Sequence, residues 1–163
     1  MSDYRAVDVA ATKWFPQTRK TVPATSIVVQ VPPSACTVSL LPGRYALELV
    51  LAGHAAHPGF VSFLEDVEAH ARAHAKPTLP DLQWHAAVHT DALLPTFKVS
   101  AFDDTLFYTS DDEIHASPED IRACACLVEM AGAWTSDTHW GIRWKVLEVK
   151  DASGRVLPVP CLL

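Results

Sequence analysis

The chain has 163 residues, 49 % of them apolar and 20 % charged, an ordinary globular composition that excludes extended disorder and suffices for one domain with a substantial core. Its net charge of −6 argues against strong non-specific affinity for duplex DNA, which depends on counterion release by many Lys and Arg, and leaves room only for a local basic groove. No apolar run reaches the roughly 18 residues that span a membrane, and the opening Met-Ser-Asp-Tyr-Arg-Ala-Val-Asp has no apolar signal core, so the expectation is an intracellular protein without a membrane partner.

Residues 1–25 read as an N-terminal arm, and 26–163 as a single barrel domain. In the arm, Lys13-Trp14-Phe15-Pro16 and Arg19-Lys20 set aromatics beside positive charge. It either reaches a ligand or packs Trp14 and Phe15 onto the domain. Ser26–Val31 is a short strand that Pro32-Pro33 ends, and Cys36–Leu41 is a second, followed by a turn at Pro42-Gly43. Arg44–Ala52 carries Tyr45, Leu47, Leu49 and Leu51 at strict period two, which with the flanking Gly43 and Gly53 favours strand over helix.

A helix is expected from Pro58 to about Ala75. Phe60, Phe63, Leu64, Val67 and Ala71 recur at three and four, Pro58 suits the first helical position and Pro77 stops it. Its other face, with Glu65, Asp66, Glu68, His70 and His74, is read as exposed, acidic and His-rich. His70 and His74 are four apart but lack the H-E-x-x-H pattern, so they read as solvated.

Leu82–His89 reads as a strand around Trp84, and Asp91–Pro95 as a loop. Phe97–Phe102 alternates, and Asp103-Asp104 reads as a tight turn into Thr105–Thr109, making a hairpin. An acidic loop follows at Ser110–Glu113. Ser117-Pro118-Glu119-Asp120 reads as an N-cap, a first-position Pro and an acidic first turn opening at most a brief helix. Near the end, Ser153-Gly154 turns the chain into Val156–Val159.

The densest stretch is Leu127–Lys150. It holds Trp134, Trp140 and Trp144, three of the five tryptophans, together with Arg143, Lys145 and Lys150. Its apolar residues alternate, giving two strands about a polar turn at Thr135–His139. Aromatic and basic side chains interleaved on a hairpin suggest a platform on which bases stack and phosphates are neutralised. Period two places Trp140, Ile142, Trp144 and Val146 on one face and Arg143 and Lys145 on the other. The expectation is a tryptophan face in the core and a basic face outside, with Trp134, beside the turn, the aromatic that meets a base.

One helix among some seven or eight short strands gives a mainly β (α+β) chain: a small antiparallel, OB-like barrel. Cys36, Cys124, Cys126 and Cys161 lack zinc-site spacing and read as small buried hydrophobes. Asp103, Asp104, Asp111, Asp112 and Glu113 lack the spacing of a calcium loop. With no G-x-S-x-G, Walker A, G-x-G-x-x-G or deaminase signature, the chain is read as a non-enzyme with no catalytic residues, no metal and no cofactor.

The order Phe97-Lys98-Val99, Asp103–Tyr108, Ile121, Leu127–Ala133, Trp134, a short gap, then Trp140-Gly141-Ile142-Arg143-Trp144-Lys145-Val146 resembles the single-stranded DNA-binding proteins of large DNA viruses and phages. The resemblance spans about residues 44–150. It implies an OB-fold that coats single-stranded DNA in replication, recombination or repair. Trp134, Trp140 and Trp144 would then be stacking or platform residues, Lys98, Arg143 and Lys145 would meet phosphate, and Tyr108 joins the candidate nucleic-acid-binding set. The chain departs from the group in ending with Pro-Cys-Leu-Leu rather than a long acidic tail, an end read as packed or at an interface. A homo-oligomer and replication or virion protein partners stay open. The alternative is a non-enzymatic structural or assembly protein, such as a virion component or subunit-bridging β-domain, acting through protein contacts.

Overall fold

Five long strands carry the architecture and close on themselves. The structure, a computed structural model, describes residues 4–9, 14–16, 21–23, 27–51, 57–74, 81–90 and 93–153. The elements in chain order are β1 (Trp14–Pro16), β2 (Thr21–Pro23), β3 (Val28–Leu41), β4 (Arg44–Val50), α1 (His57–His74), β5 (Gln83–Trp84), β6 (Val88–His89), β7 (Thr96–Tyr108), β8 (Ala123–Thr135) and β9 (His139–Asp151). β3 pairs antiparallel with β4, β4 with β7, β8 with β9 and β3 with β8. A parallel pairing of β7 with β9 closes the ring. β1 and β2 form a separate antiparallel ribbon, with β2 running beside β8.

The interior follows from alternation. Val29, Val31, Leu47, Leu49, Phe97, Val99, Val128, Met130, Trp144 and Val146 all point inward and are buried. Gly43, at φ +73°, provides the left-handed residue of the β3–β4 turn. In the β8–β9 turn the Ser136 N–H donates to the His139 carbonyl (2.8 Å), and Ser136 Oγ accepts from the His139 N–H (3.0 Å). α1 begins one residue before Pro58, and its stripe of Phe60, Phe63, Leu64, Val67 and Ala71 is buried. Phe60 meets Phe97 of the barrel edge-on at 6.0 Å, and Tyr4 covers the helix through Phe60 and Phe63. Among the described residues no helix is long and apolar enough to cross a membrane.

Several expectations are corrected. Pro32-Pro33 does not end a strand: β3 runs through it, and its register against β8 shifts between Val31 and Ser34. The irregularity absorbs two residues that have no N–H to give. Asp103-Asp104 is not a hairpin turn. β7 is one strand whose register against β9 shifts between Ala101 and Leu106. Thr105 Oγ1 ties the bulge by accepting from the Phe102 N–H (3.0 Å) and donating to the Val146 carbonyl (2.6 Å). This bulge bends β7 away from β4 and onto β9, as barrel closure requires.

Leu82–His89 is not one strand: β5 pairs in parallel with β9, β6 antiparallel with β7. The segment bridges the two edges. Glu68 is not on an exposed face; it is 6 % exposed, with Oε1 accepting from the N–H groups of Ala87 (2.6 Å) and Val88 (3.3 Å). Pro118–Asp120 is a single 3-10 turn, but Ser117 makes no side-chain cap. Cys36, Cys124 and Cys126 are free and buried. The side chains of Trp14 and Phe15, and the expected Val156–Val159 segment, Cys161 and the terminal Pro-Cys-Leu-Leu, lie outside the described residues.

Candidate nucleic-acid interface

In five-stranded OB barrels, oligonucleotides lie on the face of the second and third strands, between the loops joining strands one to two and four to five. Here those strands are β4 and β7, and the loops are the β3–β4 and β8–β9 turns. A cleft of about 750 Å³ occupies this face. Its floor follows from the same alternation that fills the core. With Leu47, Leu49, Phe97 and Val99 inward, Ala46, Glu48, Lys98 and Ser100 must face out, and all four line the cleft. Thr37 and Ser39 of β3 continue the floor with small polar side chains.

Among the described residues, three cations border the cleft: Arg44 at the start of β4, Lys98 of β7 and Arg143 of β9. Glu48 is its one carboxylate among the described residues. It lies 3.9 Å from Lys98, both side chains about half exposed, an ion pair worth at most about 1 kcal/mol. The cleft therefore has a positive balance on a chain of net charge −6.

Trp134 stands at the β8–β9 end of the cleft, half-buried. A bulge turns it outward. Between Met130 and Gly132 the register of β8 against β9 slips by one, and Gly132 adopts φ 114°. Val128 and Met130 point inward before the slip, and Ala133 after it, so Trp134 takes the outer face. Opposite lies Gly141. A Cβ there would stand 3.2 Å from the indole Nε1 and would run into the His85 carbonyl oxygen. Glycine thus lets the His85 carbonyl approach this backbone and leaves room for the indole beside it. The His85 ring meets Trp134 at 5.8 Å and 65°, and the His85 backbone N–H donates to the Trp140 carbonyl (2.8 Å), fixing β5's exit along the cleft wall.

The candidate residues separate. Trp134, Lys98 and Arg143 come together in the cleft. Trp140 and Trp144 are 2 % and 1 % exposed. Trp140 packs edge-on against Trp84, and Trp144 against Phe97 beneath the cleft floor. Lys145 shares Arg143's face but bonds Asp104 at 2.6 Å, at the β7 bulge outside the cleft. Tyr108 borders a different hollow of about 300 Å³ with Asp112, Glu148 and Lys150, where Lys150 pairs with Asp112 at 2.7 Å. Two cleft residues, Arg44 and His85, escaped the sequence reading. Arg44 could have been found from its place directly after the Pro42-Gly43 turn, at the first loop of an OB barrel; His85 had no signal beyond adjoining Trp84.

No protein-family model matches the sequence, and no curated protein matches it. Solved structures do match. A C-terminally truncated single-stranded DNA-binding protein from bacteriophage Enc34 aligns with a TM-score of 0.51 at 11 % identity, covering 88 % of this chain and 95 % of that one. Gp2.5, a single-stranded DNA binding protein encoded by bacteriophage T7, aligns with a TM-score of 0.51 at 12 % identity, covering 77 % and 86 %. At such identities the likeness is one of fold. The chain has the OB-type barrel of the phage single-stranded DNA-binding proteins, the fold implied by the resemblance in its second half.

Proposed function

We propose that the β4–β7 cleft binds single-stranded DNA without sequence preference, and that the protein acts by binding rather than by catalysis, in replication, recombination or repair inside a cell. The observation that carries this reading is Trp134, held outward against Gly141 at the end of a positively lined OB face. An indole offers any base a stacking surface, worth about 1–3 kcal/mol per base. Arg44, Lys98 and Arg143 supply phosphate contacts that read no sequence. The names of the two aligned phage proteins agree with this ligand.

Titration of fluorescein-labelled oligo-dT at two salt concentrations tests it. Three phosphate contacts predict a slope of roughly −2 in log K against log salt, at about 0.7 per contact for single strands. Absence of binding at micromolar protein and low salt would remove this function and leave the assembly-protein reading.

A further inference from the structure

We propose that His85 is a proton-linked contact for the strand: its imidazole takes up a proton from solvent as phosphodiesters enter the cleft beside Trp134, so that binding tightens as pH falls. This rests on the cleft being the single-stranded DNA site. His85 is exposed on the cleft wall, and its backbone is held in place by the bond to Trp140. The ring's surroundings are basic on three sides. His89 lies 6.0 Å away on its own segment, His139 6.1 Å away on the β8–β9 hairpin, and Lys98 approaches from β7. Arg143 of β9 borders the same cleft.

Among the described residues, the remaining charges nearby are engaged or set apart. Glu68 of α1 is bonded to the Ala87 and Val88 N–H groups, and Arg72 of the same helix lies over the Trp84 ring at 5.9 Å. Glu48 of β4 is opposite Lys98, and Asp137 is in the exposed hairpin turn. Partial burial first, then His89, His139 and Lys98, hold the His85 pKa below the usual imidazole value, so in the free protein the ring gives up its proton more readily than an ordinary imidazole. A strand's phosphates reverse the sign of that field. Proton uptake then follows by linkage, since whatever favours the charged ring is favoured by it.

The test is oligo-dT binding from about pH 8 to about pH 6 at constant ionic strength, a range in which imidazole titrates and thymine does not. Wild type should tighten roughly threefold to tenfold on acidification, and calorimetry in buffers of different ionisation enthalpy should show net proton uptake. His85→Gln should flatten the pH profile. His85→Lys, with a fixed charge, should flatten it at the tighter, low-pH affinity. Glu68→Gln should leave it intact.

A wild-type affinity that ignores pH overturns the proposal. So does a slope that survives in His85→Gln, or one that disappears in Glu68→Gln while His85 is present. Binding without pH dependence removes only the proton linkage; no binding at any pH removes the cleft's assignment as well.

Discussion

Trp134 lies across the hairpin from Gly141, where a Cβ on any other residue would run into the His85 carbonyl oxygen and come within 3.2 Å of the indole Nε1. With the bulge at Gly132 turning the indole outward and Gly141 leaving room beside it, a tryptophan-rich hairpin, which by composition alone belongs in a core, presents one aromatic at a cleft.

Gly141→Ala should therefore act twice. The new methyl group meets the His85 carbonyl and the indole, so β5 and Trp134 must both shift. Overpacking of this kind costs about 1–3 kcal/mol, to be read from denaturant unfolding. Oligo-dT affinity should fall as well, because the stacking surface is displaced.

The tryptophans should divide cleanly. Trp134→Ala is expected to lower oligo-dT affinity by about 1–3 kcal/mol with little loss of stability, since the indole is half-buried. Trp144→Ala should instead destabilise the fold by about 3–5 kcal/mol, because that ring is 1 % exposed against Phe97. Chemical denaturation and oligonucleotide titration on the same samples separate the two outcomes.

Salt dependence should map the cations. Arg44→Ala, Lys98→Ala and Arg143→Ala are each expected to reduce the magnitude of the salt slope by about 0.7. Lys145→Ala should leave the slope unchanged, because its ammonium is engaged with Asp104 outside the cleft.

Glu68 should make stability depend on pH. Burial, outweighing its bonds to Ala87 and Val88, raises this carboxyl from 4.5 to about 7. The native state thus holds the proton more tightly than the unfolded state. Its contribution favours folding most below pH 4.5, declines as pH rises to about 7, and is constant above that. The decline amounts to about 3 kcal/mol, at about 1.4 kcal/mol for each pH unit across that interval. Glu68→Gln should abolish this component, so the stability difference between variant and wild type, measured by urea denaturation, should change over that window and no further.

Much of this was legible because the signals are local. Tyr45, Leu47 and Leu49 alternate, the α1 stripe recurs at three and four, and the Thr135–His139 turn divides Leu127–Lys150 into two strands. What escaped depends on pairing between distant segments. Asp103-Asp104 has the polarity of a turn, and the same polarity suits a bulge; only the parallel partner β9 decides between them. Pro32-Pro33 looks like a strand end until β8 provides a register that tolerates it. Glu68 borders the apolar stripe of α1, and its inward position depends on N–H groups nineteen and twenty residues away. Arg44 and His85 join the cleft only because β4 and the β5–β6 segment are brought beside β7 and β9. Trp134 was expected to meet a base from its place next to the turn, whereas the feature that turns it outward is the bulge at Gly132.

Amide chemical-shift mapping with a short oligo-dT tests the central claim most directly. The largest shifts should fall on outward residues of β4 and β7, on His85 to Ala87, on Trp134 to Ser136, on Arg143, and on the Trp134 indole N–H. Shifts centred instead on the hollow lined by Tyr108 and Lys150, or no shifts at saturating oligonucleotide, would contradict it.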